Sequence, residues 1–321
     1  MNEMKYIIGH QKIVQFFDNA IKNGTLSHTY CLVGTGSIGK RALANYLAAE
    51  LLKVTEDKLS GHPDYYYLAR ALDEKTEKLH KDITVKQARE LRERLHNRSW
   101  LGGYQIIVID EAELLNDEAA NALLKVLEEP SKQSVIFLLT TDEQAILPTI
   151  RSRCQMIYFS LVSKENIAQG IMALGGSEEE SELCAKLSWG RPGRAVELWH
   201  DEAKRNEYYA ELQRLRTLIG APFYSKLAIV EELFGKKDDD IQVKRGRWQN
   251  VLKIWQMVWR DALLYKISAS GSASGESDLF KYSTLSENKI LGIIERLSQA
   301  EKLMGENINP RLLIEEAMLE F

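Results

Sequence analysis

The stretch "TYCLVGTGSIGKRALANYLAAELLK", residues 29–53, narrows the choice of folds most. A short apolar run rich in strand formers ends in glycine. A turn with the frame Gly34-x-x-x-x-Gly39-Lys40 follows, and then Ala42, Leu43, Tyr46, Leu47, Glu50 and Leu51 recur at helical spacing. A glycine-rich turn between a strand and a helix points unpaired N–H groups at an anion, and Gly34, Gly36 and Gly39 let the backbone come close to it. Lys40 is placed to reach phosphate oxygens. The next residue in this motif ordinarily offers a hydroxyl to magnesium, but here it is Arg41. A guanidinium carries donors and no acceptor, so it cannot ligate the metal, and it brings positive charge to the place of a cation. The loop therefore predicts weak ATP or ADP binding through Lys40 and the backbone amides, with little turnover.

The flanking chain repeats the alternation. "QKIVQFFDNAIKN" puts Ile13, Phe16, Phe17, Ala20 and Ile21 on one helical face, and "DYYYLAR" reads as a strand. "TVKQARELRERLHN" reads as an amphipathic helix opened by a Thr cap. "YQIIVIDEAE" is a buried strand ending in carboxylates, "NDEAANALLKVLEEP" a helix capped by Asn116 and stopped by Pro130, and "SVIFLLTT" a further buried strand. Strands alternating with helices predict a parallel α/β sheet over residues 1–160. After "RSRCQMIYFSL" the strand signal stops. Residues 161–204 read as two or three short helices around "WGRPGRA", and 205–321 as helical, interrupted by "KKDDD" and by the Ser/Gly-rich loop 268–277. Trp248, Leu252, Trp255, Trp259 and Leu263 form a stripe that predicts a packing face.

Asp110 and Glu111 stand at the carboxyl end of an apolar strand, where open α/β sheets bind ligands. Joined to the glycine loop, they predict a P-loop nucleotide-binding fold, with the aspartate near magnesium and the glutamate near an attacking water. Fold alone does not establish activity. Length and composition set the outer limits: 321 residues suggest two or three domains, and 45% hydrophobic with 27% charged residues reads as an ordinary globular chain. The formal net charge of −4 argues against a protein that coats nucleic acid. The basic group Lys244, Arg245 and Arg247 beside Trp248 reads as a solvated helix start. Cys31, Cys154 and Cys184 are odd in number and widely spaced, which predicts no disulfide framework, no thiolate metal pair and a reducing cytoplasm. The six histidines lack ligand spacing, so no metal site is expected. The opening residues lack a signal-peptide pattern, and no run approaches about 18 apolar residues, so neither export nor membrane insertion is expected.

The long stretch "IDEAELLNDEAANALLKVLEEPSKQSVIFLLTTDEQAILPTIRSRCQ", with "IIGHQKIVQFFDNAIKNGTLSHTYCLVG" before it, resembles the core of bacterial clamp loaders. These are AAA+ assemblies that open the sliding clamp of DNA polymerase III, and the resemblance is nearest to their delta-prime subunits. It spans residues 7 to about 160, with a weaker match at "LSWGRPGRAVEL". The resemblance implies an AAA+ nucleotide-binding-like domain (1–160), a helical lid (161–204) and a helical collar for oligomerisation (205–321). It implies Asp110 and Glu111 at the Walker B position, Thr141 at the first sensor, and Ser152-Arg153-Cys154 as the S-R-C motif, whose arginine serves the ATP site of a neighbouring subunit. It implies partners as well: motor and delta subunits, with the sliding clamp and primed DNA met through the complex. Three features depart from the pattern. Arg41 replaces the Walker A hydroxyl, the second-sensor arginine falls on Gly193 between Arg191 and Arg194, and "ELLKVTEDKLSGHPD" lacks the cysteines of the zinc module that many relatives carry. The expected role is a loader subunit that supplies structure and an arginine finger more than its own hydrolysis.

Two other readings stay open on the sequence. An ATP-hydrolysing motor subunit or another AAA+ ATPase fits Asp110-Glu111 but is opposed by Arg41 and Gly193. A small-molecule kinase fits the loop but is opposed by the S-R-C motif and the helical tail.

Overall fold

The computed structural model describes residues 7–71, 80–96, 99–128, 133–234, 241–267, 285–304 and 308–319. Pro130 and the 268–277 loop lie outside these residues. The chain parts into two compact units, Met1–Asp201 and Glu202–Phe321.

In the first unit the elements run α1 (Gln11–Asn23), β1 (Thr29–Val33), α2 (Lys40–Leu52), β2 (Tyr65–Leu68), α3 (Val85–His96), β3 (Gln105–Ile109), α4 (Asp117–Glu128), β4 (Ser134–Thr140), α5 (Pro148–Arg151) and β5 (Gln155–Tyr158). Three further helices follow: α6 (Lys164–Ala173), α7 (Glu178–Ser188) and α8 (Pro192–His200). All strand pairs are parallel, in the order β2-β3-β4-β1-β5. The sheet predicted for residues 1–160 is thus present, and β1, the strand that feeds the glycine loop, lies inside it between β4 and β5.

A parallel sheet must be covered on both faces, and the alternation of side chains provides two cores. Cys31, Ile107, Ile109, Ile136 and Leu138 meet Ala88 and Leu91 of α3 and Leu123 and Leu127 of α4. On the other face Tyr30, Leu32, Ile106, Val108 and Phe137 meet Phe17 of α1 and Leu43 and Leu47 of α2. Tyr30 and Phe137, paired in register, stack at 5.8 Å. The helical stripe assigned to α1 holds for Phe17 and Ala20, which are buried, and for Ile13 and Ile21, which pack against the same core, whereas Phe16 is exposed. The Asn116 cap is present, its Oδ1 accepting from the Ala119 amide at 2.8 Å. Thr84 and Gln87 cap α3 reciprocally: the Thr84 amide donates to Gln87 Oε1 at 3.1 Å, and the Gln87 amide to Thr84 Oγ1 at 3.5 Å. Among the described residues no helix is long and apolar enough to cross a membrane.

The second unit comprises α9 (Glu202–Leu218), α10 (Phe223–Phe234), α11 (Ile241–Ile267), α12 (Glu287–Met304) and α13 (Pro310–Met318). Trp248, Leu252, Trp255, Trp259 and Leu263 are all buried here, so the stripe is this unit's own core. On α12, Ile290, Ile293, Leu297, Ala300 and Met304 are buried at alternating three- and four-residue steps, the spacing of a helix that packs along another helix. Trp248 satisfies its ring N–H by donating to the Leu233 carbonyl at 3.3 Å.

Candidate functional site

The loop between β1 and α2 borders a cavity of about 530 Å³ at the carboxyl end of the sheet. Gly36, Gly39, Lys40, Arg41, Asp110, Glu111 and Thr141 all line it, so seven of the eight predicted nucleotide-site residues are brought together. Gly34 stands behind the loop. Its amide donates to the Thr140 carbonyl at 3.1 Å, and a Cβ there would meet Phe159 at 2.9 Å, which is why glycine is required. Gly39 opens α2 at φ 110°, a conformation that favours glycine.

The interior of this site is already paired. The Lys40 ammonium donates to the carbonyls of Gly34 and, at 3.0 Å, Thr35. Burial lowers its pKa, opposed by the charges of Glu113 and Asp110. Arg41 leaves the loop to lie over the Tyr67 ring, 4.3 Å from its centroid, a cation–π contact. The Tyr67 hydroxyl donates to Asp110 Oδ2 at 2.7 Å, and the Glu111 amide donates to Asp110 Oδ1 at 3.0 Å. Burial, and then this bond to a carboxylate, raise the Tyr67 pKa. Glu111 is held by a two-pronged ion pair from Arg70, at 2.7 and 2.8 Å, the strongest geometry open to that side chain. Its backbone sits at φ 51°, unusual for a non-glycine residue. Thr141 donates through both its hydroxyl (2.6 Å) and its amide (3.1 Å) to Glu113 Oε1. The other oxygen, Glu113 Oε2, is buried with no hydrogen-bond partner among the described residues. Lys40, Arg41 and Arg70 thus face Asp110, Glu111 and Glu113, and their formal charges cancel. Of the three carboxylates, Glu111 is ion-paired and Asp110 bonded at both oxygens, whereas Glu113 keeps one oxygen unengaged among the described residues.

Gly193 closes the cavity from α8. Its amide donates to the Ser37 carbonyl at 2.9 Å, and a Cβ at this position would lie 2.8 Å from the same oxygen. Ser37 itself takes φ 58°. The position expected for a second-sensor arginine is therefore occupied by a direct backbone contact between α8 and the loop.

Arg153 lies elsewhere. It precedes β5, whose Gln155 pairs with Tyr30 near the start of β1, so it belongs to the opposite end of the strands from the loop. Thr29 to Val33 alone spans roughly 13 Å. Arg153 donates to Glu128 Oε1 at 2.7 Å and to the Thr149 carbonyl at 2.8 Å, beside an open cavity of about 530 Å³ that Ser27, His28 and Gln155 also line. Cys154 donates to the Ile150 carbonyl at 3.2 Å. Burial pushes the thiols of Cys31 and Cys154 up to about 12, which makes them poor nucleophiles.

Sequence reasoning missed Tyr67, Arg70, Glu113 and Glu128. Glu113 carried a faint signal, as the third acid of "DEAE" at the end of β3. The other three are named only by the sheet order and helix placement that bring them in.

Comparison with known proteins now adds to this geometry. The family described as "DNA polymerase III, delta subunit" matches residues 9–163. The DNA polymerase III subunit delta' of Pseudomonas aeruginosa is 30% identical over 321 residues, covering 92% of each chain. The subunit of the same name from Escherichia coli K12 is 36% identical over 142 residues, 44% of this chain and 41% of that protein. Among solved structures, a DNA polymerase III gamma subunit-related protein from Thermotoga maritima has a TM-score of 0.45 at 14% identity, covering 94% of this chain and 97% of that one. On its whole-length likeness to the Pseudomonas protein, the chain belongs to the DNA polymerase III delta-prime subunit family.

Proposed function

We propose that the chain is a delta-prime-like subunit of the DNA polymerase III clamp loader, helping to load the sliding clamp onto primed DNA during replication. In this reading residues 1–160 are the AAA+ core, 161–204 its lid and 205–321 the collar through which it joins motor and delta subunits. Its own ATP site does little or no hydrolysis, and Arg153 serves the site of a neighbouring subunit. The observation that carries the reading is the contrast between the two ends of the sheet. At the loop, each group that an ATPase needs is engaged by its own chain: Glu111 by Arg70, Asp110 by Tyr67, and Lys40 by loop carbonyls. At the other end the Arg153 guanidinium, anchored by Glu128 and the Thr149 carbonyl, stands beside an open cavity, out of reach of its own loop.

The test is assembly. Mixed with motor and delta subunits, the chain should enter one complex that elutes as a single species and loads clamps onto primed DNA. A chain that stays apart in gel filtration, or a complex that loads equally well without it, overturns the proposal.

The same reading includes no zinc module. The three thiols sit on β1, before β5 and on α7, and two are fully buried in separate cores. A structural zinc site needs four converging ligands. Elemental analysis after chelator-free purification is expected to find well under one zinc per chain, and a stoichiometric value would refute this.

A further inference from the structure

We infer that Glu128 is a positioning residue for Arg153, fixing the guanidinium in the pose from which it meets a phosphate on another chain. The inference rests on the arginine-finger reading above and goes beyond it to a second residue. Glu128 is the last residue of α4, and Arg153 follows α5. Their ion pair at 2.7 Å joins positions 25 residues apart in sequence. The Thr149 carbonyl takes the neighbouring nitrogen at 2.8 Å, and Ser152 Oγ is a further acceptor at 3.3 Å. An arginine left to itself samples many rotamers. Here two acceptors on different helices fix the plane of the guanidinium, while at most three of its five N–H donors are used among the described residues. The rest are left for phosphate oxygens.

The pair has little to do for stability. Its side chains are 36% and 48% exposed, and surface pairs of this kind contribute almost nothing measurable. Geometry is a different matter, because misplacing a charged group by about 1 Å in a reacting site can cost on the order of 10²-fold in rate. As a positioning residue Glu128 should exert its influence wholly through Arg153, to which its Oε1 is bonded.

The experiment uses the reconstituted loader, with Glu128→Ala, Glu128→Gln, Arg153→Ala and the double alanine variant compared for clamp-loading rate and for kcat and KM of DNA-stimulated ATP hydrolysis. Glu128→Ala should slow loading roughly 10-fold with KM for ATP unchanged and the subunit's Tm unmoved. Glu128→Gln keeps an acceptor oxygen and should recover most of the loss. The double variant should be no slower than Arg153→Ala alone. Wild-type loading by Glu128→Ala beside a slow Arg153→Ala overturns the role of Glu128 and leaves the finger standing. A double variant slower than Arg153→Ala also overturns it, because Glu128 would then act independently. Wild-type loading by Arg153→Ala removes the finger reading, and this inference with it.

Discussion

Arg153→Ala is expected to leave assembly of the loader intact while sharply reducing clamp loading. A finger supplied in trans is worth about 10³–10⁵ in rate at the site it serves. If Arg153 serves one ATP site among several in the loader, total DNA-stimulated ATPase should fall only in part. Loading should fall further than ATPase, since one stalled site interrupts a concerted cycle. Arg153→Lys should not rescue, because an ammonium is a point charge without the planar fork that matches phosphate oxygens. Gel filtration checks assembly, and a loading assay on primed circular DNA checks the rest. A variant that assembles and matches the wild type in both rates shows that Arg153 is not the finger.

The second large effect is an absence of turnover that one substitution does not repair. The isolated wild-type chain is expected to hydrolyse ATP no faster than a protein-free control. Arg41→Thr restores the missing magnesium ligand and frees Tyr67 from its cation–π contact. It should tighten magnesium-dependent nucleotide binding by about tenfold, equivalent to about 1.4 kcal/mol. Turnover should stay near background, because Arg70 still holds both oxygens of Glu111 and α8 still offers Gly193. Adding Arg70→Ala to Arg41→Thr should release Glu111 and give the first measurable rate. Calorimetric titration with and without magnesium reads the binding, and phosphate release reads the turnover. Robust hydrolysis by the unmodified monomer would overturn the assignment of a silent site.

These expectations depend on pairings that the sequence showed very unevenly. The sheet was legible because β1, β3 and β4 are short apolar runs bounded by helices, and local order alone places Gly39, Lys40, Asp110 and Glu111 at one end of it. The departures from an ATPase pattern were legible only at Arg41 and Gly193. Tyr67 and Asp110 are 43 residues apart, Arg70 and Glu111 are 41 apart, and Glu113 and Thr141 are 28 apart. Each pair meets only because β2, β3 and β4 are neighbours in the sheet. Periodicity assigns a face to a residue but says nothing about which strand lies beside it. Phe16 marks the same limit on α1: the helical stripe was sound, but periodicity did not show which of its residues the core would leave exposed.

The contact between Gly193 and Ser37 bears on how readily the site can be altered. With a carbonyl oxygen 2.8 Å from where a Cβ would stand, any side chain at 193 must first displace α8 or the loop. An arginine placed there by one change would add charge to the cavity only at the cost of that fit. A side chain at 193 and the closed contact between α8 and the loop therefore exclude one another, so any replacement of Gly193 trades the seal over the cavity for its own reach into it.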